Sequence, residues 1–473
     1  MIALLLFLLP LLGGIITCLI PQNATAKGVS LFVAICIFAL AAAGFFYTPQ
    51  GSQALSINYS WVSTFNANFA LQIDGLGTIV CMLCAIVFPV IFLSIWHRNY
   101  GSTYYGLMLL AQAGMMGVFM AKDGLLFYFF WELALIPVYF LSSIWGNEHK
   151  VKYAFKFFIY TFLGSLLMLA GLIYLNFLEP THSFAIKDLA AINLPHNTEQ
   201  WLFWVFFIAF AIKMPIFPFH TWQPDAYEHT NTGTTMVLSS VMVKMGVFAS
   251  ICWLLYMFPN VDVLNLNIVI GLSVFGMLYA SFLAMKQNDL KRLIAYSSIA
   301  HIGLMSAALF TKIGIGWQGV AVQMFAHGIN ILGMWMVVEF IEQRTGKRKI
   351  SELGGLAQSQ PTLAIMFVII ALANIALPLT NAFVGEFLMF NALFQYNIWV
   401  AAAAGLSIIF AAVYTLRMVQ YVLYGQAKTY TNNFAIQPHE LAAFGIIIVA
   451  IFIMGVYAKP MLTLATDVLQ YLR

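Results

Sequence analysis

Residues 211–246 read A-I-K-M-P-I-F-P-F-H-T-W-Q-P-D-A-Y-E-H-T-N-T-G-T-T-M-V-L-S-S-V-M-V-K-M-G. An apolar run ends here in Lys213 and a turn broken by Pro215, Pro218 and Pro224. A second apolar run follows, with Lys244 in its middle. A lysine at the centre of a membrane span costs about 3 kcal/mol and marks function by default. The fold class follows from whether these runs cross a bilayer.

The composition says that they do. The chain has 473 residues, 62% hydrophobic and 8% charged, against about 25% charged in a soluble domain. This is an all-α polytopic membrane protein, and its first partner is the lipid bilayer. The net charge of +4 is not gathered with aromatics on one stretch, so no nucleic-acid partner is expected. The first twenty residues lack a basic leader and a small-residue cleavage site, and read as a retained first span. Cys81 and Cys84 form a C-x-x-C inside an apolar run with no second such pair. They read as buried structural thiols.

A hydrocarbon core needs about 20 apolar residues per helix. Spans are expected near 2–20, 28–48, 74–96, 105–121, 124–146, 153–178, 201–220, 232–256, 263–285, 292–310, 316–341, 361–394, 400–424 and 439–458. That makes fourteen, of which the seventh is broken at Pro215 and Pro218 and the twelfth at Pro378. Basic residues test the count. Thirteen fall on one set of loops: Lys27, Arg98, Lys150, Lys152, Lys156, Lys286, Lys291, Arg292, Arg344, Lys347, Arg348, Lys349 and Lys428. The opposite loops hold Lys122, Lys187 and Lys312, and the C-terminal end adds Lys459 and Arg473. Positive charge stays inside, so both termini are expected on the periplasmic side. Lys213, Lys244 and Arg417 remain, all within spans.

Acidic residues mostly sit in loops, but Glu132 and Glu386 lie deep in spans five and twelve, and Glu339 at the end of span eleven. Glu132 could simply be protonated; a carboxylate paired with a lysine explains its presence better. Lys213 could snorkel to the interface, but it lies well inside its span. The nearby prolines deprive the carbonyls of Ala211 and Met214 of helical donors. Such groups are tolerated in a membrane only against protein or water, so a hydrated pocket is expected beside Lys213. An acid near a buried lysine favours its charged form, so a lysine whose partner changes is a proton switch. His301 and His327, in spans ten and eleven, are able to pass protons near neutral pH, although a lone intramembrane histidine is as often just a satisfied polar group. Tyr296, Ser297 and Ser298 add hydroxyls. Glu132, Lys213, Lys244, His327, His301 and Glu386 thus form a candidate lateral line whose spatial order the sequence does not show.

Lys213 to Glu386 and Lys244 to Arg417 are both 173 positions apart. With the two breaks, this suggests two inverted five-helix repeats, at 105–256 and 263–424, after an N-terminal part at 1–104 and before a final part at 425–473. The sequence holds no G-x-G-x-x-G after a strand, P-loop or H-E-x-x-H, no cysteine set for an iron–sulfur cluster, and no histidine pair at i and i+4 within a span. No cofactor or metal is expected in this chain.

At F-F-W-E-L-A-L-I-P around Glu132, K-M-P-I-F-P-F-H-T-W-Q-P-D-A from Lys213, K-R-L-I-A-Y-S-S-I-A-H-I-G from Lys291 and V-G-E-F at Glu386, the chain resembles the antiporter-like subunits of respiratory complex I and of multisubunit sodium/proton antiporters. In that family a glutamate in the twelfth span marks the M type, and a lysine the L and N types. Glu386 and the end of the chain soon after span fourteen favour the M type. The resemblance implies a proton channel in a bacterial inner membrane. Glu132 and Lys213 would be its coupled pair, Lys244, His301 and His327 its relay, and Glu386 its site near the periplasmic exit. It also implies L-type and N-type neighbours in the membrane arm, with NADH, FMN, iron–sulfur clusters and quinone bound by other subunits. One departure is Tyr227, where many relatives have histidine. It is expected in a cytoplasmic loop, as a matter of packing. A sodium/proton antiporter subunit is the alternative, and a small-metabolite symporter a weaker one.

Overall fold

The structure, a computed structural model, describes residues 1–47, 53–426 and 435–472. Twelve helices among them are long and apolar enough to cross a membrane. They are α1 (Ile2–Leu19), α2 (Asn23–Tyr47), α3 (Gly75–Ser94), α4 (Ser102–Met120), α5 (Gly124–Trp145), α6 (Lys150–Leu178), α9 (Thr232–Leu255), α10 (Val263–Lys286), α11 (Leu290–Phe310), α12 (Gly314–Thr345), α15 (Ile398–Leu423) and α16 (Pro438–Val456). Two interrupted crossings complete the set: α7 (His196–Lys213) with α8 (Trp222–His229), and α13 (Pro361–Asn374) with α14 (Asn381–Tyr396). The expected fourteen crossings and two breaks are therefore present. A short helix, α17 (Lys459–Ala465), follows the last crossing. Aspartates start several helices by accepting the first free N–H groups: Asp74 for α3, Asp123 for α5 and Asp289 for α11.

The loops gather at two ends. At one, the N-terminal amine donates to Ala54 O, Glu199 accepts from Asn260 N–H, and Lys312 donates to Pro259 O. At the other, Lys27 donates to Trp96 O, Arg98 pairs with Glu339, and Arg348 pairs with Glu228 and Asp289. The second end carries the basic loops. Lys428 and Arg473 lie outside the described residues. Arg417 departs from expectation: it is exposed, and its guanidinium donates to Met285 O near the basic end of α10, 3.0 Å away. It reaches out of its span, as long basic side chains do, and is no counterpart of buried Lys244.

One departure from an all-α chain is a hairpin, β1 (Ser56–Val62) and β2 (Ala67–Gln72), paired antiparallel from Ser56↔Gln72 to Val62↔Ala67. Its turn ends on Asn66 in the left-handed region, φ 48°, which asparagine tolerates better than most. The hairpin closes the end opposite the basic loops, where Asn68 N–H donates to Asp123 and Lys122 N–H to Ala70 O.

Crossings four to eight and nine to thirteen each hold an interrupted helix as fourth member and start from opposite ends. The breaks at Pro215 and Pro378 are 163 positions apart, not 173. Lys213 is the last residue before its break, whereas Glu386 is the sixth residue of the helix after its own. The equal charge offsets thus do not mark equivalent places. The helices divide by burial. Over their most apolar stretches α9, α11 and α12 are wholly enclosed, while α2, α15 and α16 turn most of their surface outward. Lys244, His301 and His327 ride on the three enclosed helices.

Candidate functional site: a buried line of ionisable groups

The line begins between α5 and α7. Lys213 is 1% exposed and its ammonium lies 5.3 Å from the centroid of the Trp131 ring. Such a contact stabilises a desolvated cation by about 2 kcal/mol. Glu132 is within electrostatic reach, yet no N···O contact within 4.0 Å joins the two among the described residues. Glu132 Oε1 and Lys213 Nζ are buried without a hydrogen-bond partner. The pair is near enough to couple and open enough to rearrange.

The break beside Lys213 differs from expectation. Ile216 N–H donates to Ala211 O at 2.9 Å, and Trp222 Nε1 donates to Ile212 O, also at 2.9 Å. A protein donor thus satisfies Ala211 O, one of the two carbonyls expected to be free, and the tryptophan of the long motif braces the turn that ends at Lys213. Gly246 lets the break pack against α9: a Cβ there would stand 2.8 Å from both Met214 Cβ and Phe210 O. This contact joins the Lys213 region to the helix that bears Lys244.

Lys244 is fully buried, and its ammonium donates to Ser239 O at 2.6 Å. The reason lies in the backbone. Residues Leu238–Met242 form a π-helical turn, in which Val243 N–H reaches Leu238 O. Widening the helix turns carbonyls away from their usual donors, and such turns recur at functional sites. His327 is 2% exposed, has no hydrogen-bond partner at either ring nitrogen, and lies within electrostatic reach of Lys244.

The line then continues in direct contact. The His327 and His301 rings are 5.3 Å apart at 46°. His301 Nδ1 lies 3.2 Å from Glu386 Oε1. Gln323 Nε2 donates to the same oxygen at 3.2 Å. A cavity of about 20 Å³ lies against His301, Glu386, Ser407 and Tyr414, enough for about one water. Tyr414 Oη donates to Ser297 Oγ at 2.9 Å, and Asn374 reaches the same hydroxyl at 3.4 Å. Asn330 donates to Ala373 O and Asn381 to Ala326 O, which secures the second break.

The six expected residues succeed one another in the order Glu132, Lys213, Lys244, His327, His301, Glu386, in two neighbourhoods, and all are buried except half-buried Glu132. His301 touches both His327 and Glu386, and Lys244 lies within electrostatic reach of His327. Glu132 and Lys213 form a separate neighbourhood. Gln323, Asn330, Asn374, Asn381 and Tyr414 were missed, because a census of ionisable residues passes over amides and phenols. An amide inside an apolar run was the available signal. Tyr227 is not in a loop: it is fully buried in α8, with its ring 5.8 Å from that of Trp335.

The family described as NADH:quinone oxidoreductase/Mrp antiporter, TM matches residues 121–411. "NADH-quinone oxidoreductase subunit M" of Rhodobacter capsulatus is 34% identical over 469 residues, covering 94% of this chain and 89% of that one. The protein of the same name from Rickettsia typhi is 34% identical over 410 residues, 85% and 83% of the two chains. A chain of respiratory complex I from Thermus thermophilus superimposes with a TM-score of 0.92 at 28% identity, over 100% of both chains. A chain of the Mrp complex from Dietzia sp. shares the fold, with a TM-score of 0.89 at 18% identity, over 100% of this chain and 97% of that one. The chain belongs to the NADH:quinone oxidoreductase/Mrp antiporter membrane family, among the relatives called subunit M.

Proposed function

We propose that this chain is the proton-translocating, M-type subunit in the membrane arm of a bacterial NADH:quinone oxidoreductase. Electron transfer through NADH, FMN, iron–sulfur clusters and quinone belongs to partner subunits, and L-type and N-type chains are its neighbours. The observation that carries the reading is the continuous contact from His327 through His301 to Glu386, with buried Lys244 beside it. Each group in this tract takes or gives a proton, and all but half-buried Glu132 are buried within the bundle. Glu132 and Lys213 act as the coupled pair that sets when Lys244 is charged. Lys244, His327 and His301 relay the proton, and Glu386 delivers it toward the exit.

The energies are in proportion. Moving one proton against 100 mV costs about 2.3 kcal/mol. A charge pair at about 4 Å interacts by about 4 kcal/mol at an effective dielectric constant of 20. Opening or closing one Glu–Lys pair is thus enough to drive one proton. The basic loops support a cytoplasmic assignment for their end, which puts both termini in the periplasm. The opposite starting ends of crossings four and nine support reading the two five-crossing units as inverted repeats, 105–256 and 263–424, between end parts 1–104 and 425–473.

Proton uptake by inverted vesicles holding the Lys244→Ala complex tests the relay. Loss of coupled pumping in an assembled complex supports it, and full pumping removes Lys244 from the path. Copurification in mild detergent tests the assembly. Dehydrogenase subunits with this chain support the reading; antiporter subunits alone would replace it with the sodium/proton alternative.

A further inference from the structure

Three side chains from opposite ends of the sequence meet at the basic end of the bundle. His97 lies just after α3, while His439 and Glu440 lie in the first turn of α16. One nitrogen of each imidazole and one carboxylate oxygen stand within 4.8 Å of one another. Around them, Glu339 pairs with Arg98 and Glu440 pairs with Arg344 through both oxygens, at 2.9 and 2.8 Å.

The hydrogen bonding of His97 is the puzzle. Its Nε2 is 3.5 Å from Glu339 Oε1, and its Nδ1 is 4.0 Å from Glu440 Oε1. An ionised carboxylate only accepts. The single proton of a neutral imidazole belongs on Nε2, facing the nearer Glu339. Nδ1 is then left with a lone pair turned toward another acceptor, Glu440. The buried Nε2 of His439 also has no hydrogen-bond partner. Unpartnered imidazole nitrogens of His97 and His439 thus stand beside Glu440, whose oxygens also accept from Arg344 and from Gln437 N–H, and a cation would satisfy them. The arrangement Glu339···His97 is also the usual support of a metal-bound histidine, whose other nitrogen donates to a carboxylate.

We propose that His97, His439 and Glu440 bind a divalent cation of the zinc class, with Glu339 as the positioning residue that orients His97. Two imidazoles and a carboxylate suit zinc, which takes such ligands at about 2.0–2.2 Å. The ligand atoms must draw together, and His439 is exposed enough to turn. The two ion pairs balance their own charges, so the ion enters a locally neutral group; Arg98 and Arg344 limit its affinity by repulsion. The bound ion ties the loop after α3 to the start of the last crossing. No pair at i and i+4 within a span forms this group; residues 97 and 439 are far apart in sequence and meet only in the fold.

The test uses the intact complex, stripped with chelator and equilibrated with zinc chloride. Bound zinc is measured by elemental analysis, and its ligands by X-ray absorption. His439→Ala is expected to bind one ion fewer per complex than wild type. Glu339→Gln is expected to keep the ion with about 10–100-fold weaker affinity. Equal zinc in wild type and His439→Ala overturns the proposal. If His439→Ala does not assemble, the wild-type spectrum decides: a shell with two imidazoles supports the site, and one without them overturns it.

Discussion

His301 Nδ1 lies 3.2 Å from Glu386 Oε1, and the same imidazole stands 5.3 Å from that of His327. One side chain on α11 thereby connects a histidine on α12 to a carboxylate on α14. Each hop is short, but a proton stops wherever a group cannot change its charge.

Glu386→Gln is the sharpest test of that contact. It keeps the volume and removes the charge. A positioned acid or base contributes 10²–10⁴-fold to proton transfer, so coupled pumping in vesicles is expected to fall about tenfold or more. Wild-type pumping would take Glu386 out of the route.

Glu132→Ala and Lys244→Ala are each expected to reduce coupled pumping severely while the complex still assembles. Glu132→Gln separates charge from shape at the first position. It is expected to behave like Glu132→Ala, because the role assigned to Glu132 is its charge near Lys213. Vesicle acidification measured beside subunit content on a native gel checks both statements.

Trp222→Phe keeps a ring in place but removes the donor to Ile212 O. A buried carbonyl left without its partner costs about 1–3 kcal/mol. Lower thermal stability of the complex is expected, with reduced pumping because the braced turn holds Lys213. Unchanged stability would mean that water or another donor replaces the indole.

At the end opposite the basic loops, Lys122 donates to Asp74 at 2.8 Å and to Tyr471, and Tyr471 donates to Asp74. Burial raises the Asp74 carboxyl, but Lys122 and the hydrogen bonds from Lys122, Tyr471 and Gly77 outweigh it and hold it below its ordinary value. Burial lowers Lys122, but Asp74 outweighs that and raises it. Asp74 stabilises the fold above its unfolded pKa, and that contribution is lost as pH falls through its depressed value. The contribution of Lys122 is present below its unfolded pKa and is lost as pH rises through its raised value. Stability from this cluster is thus full near neutral pH. Lys122→Met leaves a buried carboxylate unpaired and is expected to cost about 3–5 kcal/mol, with its thermal midpoint less depressed in acid than at neutral pH. A midpoint deficit independent of pH would refute this account.

Much of the architecture was legible because a bilayer forces it. Twenty apolar residues must be helical where no water can pair with the backbone, so spans, breaks and charged exceptions all show in one dimension. The hairpin at 56–72 was missed because it lies outside the apolar runs and is held by loop contacts such as Asn68 to Asp123. Arg417 was counted among the buried charges because span boundaries are soft, and a long side chain near a helix end escapes to the surface. The π-helical turn before Lys244 left no trace in composition.

The sequence by itself determined that this is a fourteen-crossing membrane protein with six candidate ionisable groups inside its spans, because placing charge in hydrocarbon is too costly to occur without a reason. Only the tertiary structure decided their order. Lys213 and Glu386 look alike in sequence, each beside a proline break. Packing puts one against Trp131 and the other against His301. Contacts between helices far apart in the chain depend on which faces meet, and the uniform apolar surface of a membrane helix does not record that choice.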